Sequence, residues 1–208
     1  MGRTAIIVIA AATLSACGGV LTYTPPTRAG NPENVVTATV DGTRREVWNR
    51  FVAELGRLYF VIGDMDRDAG IINARNRGDD PLGYIDCGHI RSRVRNVHGD
   101  RTYSFSAAVP EMQYEIMTDL LYAVTRRMKL DGRADIVLEA AGPDTVRITV
   151  RTRYFVTRTM WISGVDGSQD SSSDSISFST GGRGRFADDG TICVATGVME
   201  RDILKLAR

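Results

Sequence analysis

Between residues 133 and 157 the chain reads RADIVLEAAGPDTVRITVRTRYFVT, and apolar and polar side chains alternate through most of it. Ala134, Ile136, Leu138 and Ala140 fall in one phase, with Asp135 and Glu139 in the other. After Gly142-Pro143-Asp144, the apolar Val146, Ile148, Val150, Tyr154 and Val156 alternate with Arg147, Arg151 and Arg153. A repeat of two is the signature of a strand with one buried face, and a Gly-Pro-Asp break between two such runs makes a hairpin. Such a hairpin needs a layer to cover its apolar face, which narrows the fold to a sheet packed on one side. Continued to Ile162, the second strand would be about 55 Å long. The reading therefore expects it to bend or break near Tyr154-Phe155, where the alternation blurs.

The rest of the chain supplies the covering layer. Thr43-Arg44-Arg45-Glu46 is a capping box, and Val47, Phe51, Leu55 and Leu58 follow at helical spacing, predicting a helix to about Tyr59. VVTATVD, FVI, GIINA, YIDCGHI, TYSFSAAV and TICVA read as strands, and RSRVRNVHGDR as a charged loop or exposed edge. Pro110 opens a segment in which Met112, Ile116, Leu120, Val124 and Met128 share one helical stripe. Acidic residues come early in it and basic residues late, as a helix dipole favours, although YEIMTDLLYAV could also enter a sheet. SGVDGSQDSSSDS reads as a solvated loop at about 163–175, and a last helix runs from about Gly197 to Ala207 with Thr196 as its cap. The fold class expected is α+β: an antiparallel sheet with two or three helices packed on one face, in a single domain over 35–208.

At the front of the chain, a charged start (Arg3) and a short apolar run, TAIIVIAAAT, precede Leu14-Ser15-Ala16-Cys17. The run is too short to span a bilayer as a helix and has the layout of a secretory signal. Together with the four-residue box it resembles the lipobox of bacterial lipoproteins. The resemblance implies cleavage before Cys17, a diacylglyceryl group on its sulfur and acylation of the new amine, so that residues 1–16 are a signal peptide. Two or more chains give stable anchoring where one does not. Gly18 in place of Asp leans towards the outer membrane, on the periplasmic side. VLTYTPPTRAGNPEN reads as a flexible tether, giving a lipidated and extended segment over 17–34.

The whole chain carries 26 Lys+Arg and 25 Asp+Glu; loss of residues 1–16, in which Arg3 alone is charged, leaves 25 of each. Nucleic-acid binding normally shows as a basic excess, so it is not expected. With Cys17 modified, Cys87 and Cys193 form an even pair in an oxidising compartment and are expected to bond. Two buried thiols, or a zinc site completed by His89, are the alternatives.

No chemistry-bearing cluster is coherent. Asp64, Asp66 and Asp68 alternate as in a calcium loop, but Ala69 stands where the sharp turn needs Gly, and Arg75 where a bidentate Glu is needed. Asp166, Asp170 and Asp174 lack any rigidifying Gly pattern. His89 and His98 are the only histidines, and neither lies near a nucleophile elbow. No enzymatic activity, metal or cofactor is expected. Arg147, Arg151 and Arg153 share one strand face, with Arg158 farther along, and Trp161 adjoins the Ser/Asp segment. These residues read as a solvated face or as a docking surface for an acidic partner, a lipid headgroup or a glycan.

The stretch EVWNRFVAELGRLYFVIGDMDRDAGIINAR resembles helix-grip domains of outer-membrane lipoproteins, notably the C subunit of the β-barrel assembly machinery. The resemblance covers about residues 43–75 and implies a helix laid across an antiparallel sheet. The expected function is that of a lipid-anchored, non-enzymatic accessory protein docked on an envelope protein assembly. The second reading is a binding module holding a lipid, glycan or small apolar ligand between helix and sheet.

Overall fold

A computed structural model of the chain describes residues 18–27, 36–57, 60–76 and 80–207. The signal-peptide reading of 1–16, the proposed lipid site at Cys17 and residues 28–34 of the expected tether lie outside them.

The described residues form thirteen strands and two helices. The long hairpin is present and longer than the alternation indicated. β9 spans Leu121–Gly142 and β10 spans Thr145–Gly164, antiparallel along the whole of β10. β10 is not broken at Tyr154-Phe155, because its other edge is shared by two partners in succession. β2 (Val36–Asp41) pairs with residues 145–150, and β11 (Gln169–Ser179) with residues 153–163. β9 is flanked in the same way, by β4 (Ile71–Asn76) at one end and β8 (Glu111–Met117) at the other. β3 (Phe60–Asp66) pairs with β4 and completes a seven-stranded sheet.

Two smaller antiparallel sheets join it. One has the order β1-β6-β7, from Gly18–Thr24, His89–Asn96 and Gly99–Ser106. The other has the order β12-β13-β5, from Arg183–Arg185, Ile192–Ala195 and Ile85–Asp86. The helices are α1 (Arg44–Arg57) and α2 (Val198–Lys205).

The expected α+β, helix-grip-like class is therefore corrected: the described residues are mostly β, with several antiparallel sheets and two helices. The helix expected after Pro110 is the β8–β9 hairpin. Residues four apart share a face in a strand as well as in a helix, so Met112, Ile116, Val124 and Met128 satisfy both periods. Of the early acids and late bases, Glu111 and Arg127 face one another across the hairpin at 2.6 Å, while Glu115 pairs with Arg101 of β7. The Ser/Asp segment is a turn at 165–168 followed by β11, which Thr157–Ser175 and Thr159–Ser173 hydroxyl pairs tie to β10. RSRVRNVHGDR belongs to the β6–β7 hairpin, with Ile90, Ser92 and Val94 buried and Arg91, Arg93 and Arg95 exposed.

The first part of the expected tether is not free chain either. β1 pairs with β6 from Gly18↔Arg95 to Thr24↔His89. A Cβ on Gly19 would lie 2.7 Å from the Cβ and carbonyl oxygen of Met117, so only glycine lets β1 pass this close to β8. YIDCGHI is split between β5 and β6 at Gly88, whose φ of +79° and contact with the Thr24 carbonyl admit no side chain.

One core lies between the inward face of the large sheet and the elements above it. Val146, Ile148, Val150, Tyr154 and Val156 from β10 and Ile136 and Leu138 from β9 are fully buried, together with Val47, Phe51 and Leu55 of α1 and Met199 and Ile203 of α2. The expected capping box is formed: the Thr43 N–H donates to the Glu46 carboxylate at 3.0 Å and the Glu46 N–H to the Thr43 hydroxyl at 3.4 Å. α2 starts at Val198 rather than Gly197, and Thr196 accepts the Val198 N–H at 3.3 Å.

Cys87 and Cys193 are joined by a disulfide across a sequence separation of 106. It ties the β12-β13-β5 sheet to the chain leading into β6. Replacing both cysteines with alanine is expected to cost about 2–4 kcal/mol. Urea unfolding of the oxidised protein and the double variant measures this difference, and reductant should bring the parent to the variant's midpoint.

Candidate interaction surface

The inward face of the seven-stranded sheet is covered, and its outward face is open. Odd-numbered positions of β10 point outward, which places Arg147, Arg151, Arg153 and Trp161 together on one exposed surface. Arg158 has the opposite phase and is buried, which corrects its grouping with them.

Each exposed arginine has a defined neighbour. Arg147 stands opposite Glu139, Arg151 opposite Asp135, and Arg153 opposite Arg133. Asp131 accepts two hydrogen bonds from Arg75, at 2.7 and 2.8 Å, and one from Arg133 at 3.1 Å. Arg75 and Arg133 therefore share one carboxylate, with Arg153 opposite Arg133, leaving a local excess of positive charge on an otherwise balanced face. Two of the cations on this face lie over aromatic rings. The Arg133 guanidinium is 4.8 Å from the centre of the Phe155 ring, and that of Arg127, paired to Glu111, is 5.2 Å from Trp161. Stacked and paired guanidinium groups lose less freedom on meeting a partner than free ones do.

The sheet also supplies relief. The β3–β4 register shifts between Ile62 and Met65, a bulge that bends the edge of the sheet. Beside it is an open cavity of about 450 Å³ lined by Asp64, Asn73, Arg75, Arg133 and Asp135. At the other end a cavity of about 350 Å³ adjoins Trp161, Gln169 and Ser171. Both are shallow and lined by polar groups, as suits a surface contact rather than an enclosed ligand.

The remaining sequence-flagged residues are dispersed. Asp64 and Asp66 lie on β3 and Asp68 in the following turn, where the Ala69 N–H donates to Asp66 at 2.9 Å. Asp166 accepts from Ser168, which holds its carboxyl below the usual range. His89 shares a 2.8 Å hydrogen bond with Ser104 on an exposed face, and His98 is in the β6–β7 turn. The disulfide removes Cys87 and Cys193 from any zinc site.

Sequence reasoning missed a buried cationic pair. Arg126 and Arg158 occupy inward positions of β9 and β10, and each is 1% exposed. Their signal was there: each places a guanidinium in the apolar phase of its strand. Arg158 donates to Asp189 at 2.6 Å and to Asp188, and stacks over Phe186 at 4.2 Å. Burial disfavours its charge, but the two carboxylates outweigh this and raise its pKa. Asp189 shows the counterpart: burial raises its pKa, and the hydrogen bonds from Arg158 and Thr191 bring the net value below the ordinary range. Arg126 is held less well. Burial and the nearby Arg158 charge lower its pKa to about 10, which still leaves it cationic at neutral pH.

Comparison with known proteins found no matching family model, no matching curated protein and no matching solved structure. Among the described residues, no helix is long and apolar enough to cross a membrane.

A carboxyl whose folded pKa lies below its unfolded one contributes stability that is complete above the unfolded value, about pH 4, and is lost as the pH falls through the folded value. Asp189→Asn is expected to cost about 1–2 kcal/mol at pH 7, since Asp188 still pairs with Arg158 and Asp189 is half-exposed. The variant should also lose less stability than the parent between pH 5 and pH 3, measured by urea unfolding across about that range.

Proposed function

We propose that this protein is a lipid-anchored, periplasm-facing accessory component of an envelope protein assembly, and that it docks through the open face of its seven-stranded sheet. The lipobox-like Leu14-Ser15-Ala16-Cys17 is the motivation for the anchor, and Gly18 in place of Asp that for the outer membrane as its site. The observation that carries the docking reading is the asymmetry of the sheet. One face is sealed by α1, α2 and the smaller sheets, while the other bears Arg147, Arg151, Arg153 and Trp161 uncovered.

The chemistry of that face suits an acidic protein surface. Arginines around Asp131 supply the charge, and the Arg127–Trp161 and Arg133–Phe155 stacks supply rigid amphipathic contact area of the kind found at interface centres. A ligand held between helix and sheet finds no support in the packing, because the side chains of α1 that face the sheet are fully buried against it. No residue cluster described above assembles a nucleophile, a base and an oxyanion site, so the reading is non-enzymatic.

Two experiments test the two halves. Cys17→Ser should move the protein from the membrane to the soluble fraction and remove the mass of the acyl groups; unchanged fractionation and mass would sink the anchor. A photo-crosslinking residue at Thr149 or Phe155 should yield a discrete adduct in cells, reduced at least about fivefold by Arg151→Glu with Arg153→Glu. The same residue at Arg45, on the far side of the sheet, should not yield it. Adducts that ignore the charge reversal would sink the docking reading.

A further inference from the structure

Three turns and the start of β1 meet at one end of the molecule. Gly18 pairs with Arg95, beside the β6–β7 turn that carries Val97. The next residue, Gly19, abuts Met117 at the end of β8, so β1 begins against the β8–β9 turn. The Val165 N–H in turn donates to the Leu121 carbonyl at 3.1 Å, which sets the β10–β11 turn on that same corner. The opposite end of the long hairpin is the turn at Pro143-Asp144.

This corner holds the three most exposed large apolar side chains among the described residues, with Leu21 close by. Val97 is 84% exposed, Val165 68%, Val20 62% and Leu21 54%. Aromatic residues lie just behind them: Trp161 precedes Val165 on β10, and the Tyr122 ring packs beside Gly164. Tryptophan and tyrosine at the inner margin of an apolar tip are suited to a boundary that is wet on one side and oily on the other. The charges here are largely engaged with one another. Asp100 takes two hydrogen bonds from Arg95 and one from Arg93, and Asp119 and Asp166 are held by neighbouring hydroxyls. Two cations face three carboxylates, so no positive field is available to draw the corner towards anionic lipid.

We propose that this corner is a membrane seat: the turns at 97–98 and 165–168 and the start of β1 rest in the headgroup region of a phospholipid leaflet, with Val97 and Val165 reaching the acyl boundary and Val20 and Leu21 flanking them on the two faces of β1. The occupant follows from where β1 begins. Cys17 is one peptide unit, about 3.8 Å between Cα atoms, from Gly18. A lipid on Cys17 therefore brings the leaflet to this corner, with no length of free chain between them. The inference rests on the reading that Cys17 is acylated. It adds that the domain lies against the bilayer in one orientation rather than standing off on a tether. Contact is apolar and aromatic, so it is insensitive to the share of anionic lipid.

The test uses the full acylated protein in phosphatidylethanolamine vesicles containing brominated phospholipid, with the disulfide oxidised. A fluorophore is attached through Val97→Cys, Val165→Cys or, as the far-end control, Asp144→Cys. Quenching at 97 and 165 at least threefold stronger than at 144, unchanged when phosphatidylglycerol is added, is the expected result. Equal quenching at the three sites in protein whose mass confirms the acyl groups overturns the seat and leaves the anchor standing. Protection of 97 and 165 in native envelopes but not in vesicles also overturns it, and assigns the corner to a protein. Unmodified Cys17 in cells removes the anchor and the seat with it.

Discussion

The pairing of β9 with β10 is the constraint on which the rest of the structure depends. It extends through all 20 residues of β10, and each long strand then offers its remaining edge to two shorter ones. That division is why strands too long for a small domain are tolerated: most of the backbone of the pair is partnered on both edges. Because side chains alternate strictly, one pairing register also fixes the two faces at once. The inward face organises the core under α1 and α2, and the outward face is left as a broad charged surface.

Much of this was legible where the two phases of a strand differ in polarity. From 134 to 156 they do, and the hairpin, its turn and its buried set are as the alternation indicates, apart from Ala140, which is exposed beside the register shift at Thr145/Val146. Legibility fails where the phases carry the same kind of residue or where two periods coincide. Met112, Ile116, Val124 and Met128 suit a helix and a strand equally, and only cross-strand pairs such as Glu111–Arg127 decide between them. Gln169–Ser175 is polar in both phases, since that part of β11 lies beyond the core, so nothing in it distinguishes a strand from a loop. In β6 the arginines obscured a clean alternation with Ile90, Ser92 and Val94. In β1 the two prolines that follow it suggested extended chain for the whole stretch. The open face was partly legible for the same reason as the hairpin: parity groups Arg147, Arg151 and Arg153. Arg75, Asp131 and Arg133 come from other strands, and only the register brings them alongside.

Residues that break the apolar phase sit where layers meet. Arg158 links β10 to the turn before β13 through Asp188 and Asp189. Glu200 of α2 is fully buried and accepts hydrogen bonds from Tyr154 at 2.9 Å and Thr180 at 2.8 Å. Burial and the adjacent Glu200 carboxylate push the Tyr154 phenol well above its usual range, so it remains a donor at any ordinary pH. Apolar packing alone would allow helix and sheet to slide. Directional contacts of this kind select one arrangement among several of similar burial.

The serine-rich composition of β11 has a consequence for neighbouring copies of the chain. β11 ends the strand order of the large sheet, and an eleven-residue margin of that kind is a template on which another polypeptide can add. Its apolar residues, Ile176 and Phe178, turn inward, while hydroxyls and the carboxylates of Asp170 and Asp174 occupy the rest. An incoming strand would gain backbone bonds without oily surface to bury, and a second β11 would bring its own acids against these. Crowded molecules are thereby discouraged from zipping into fibrils, a safeguard written in the same residues that disguise the strand.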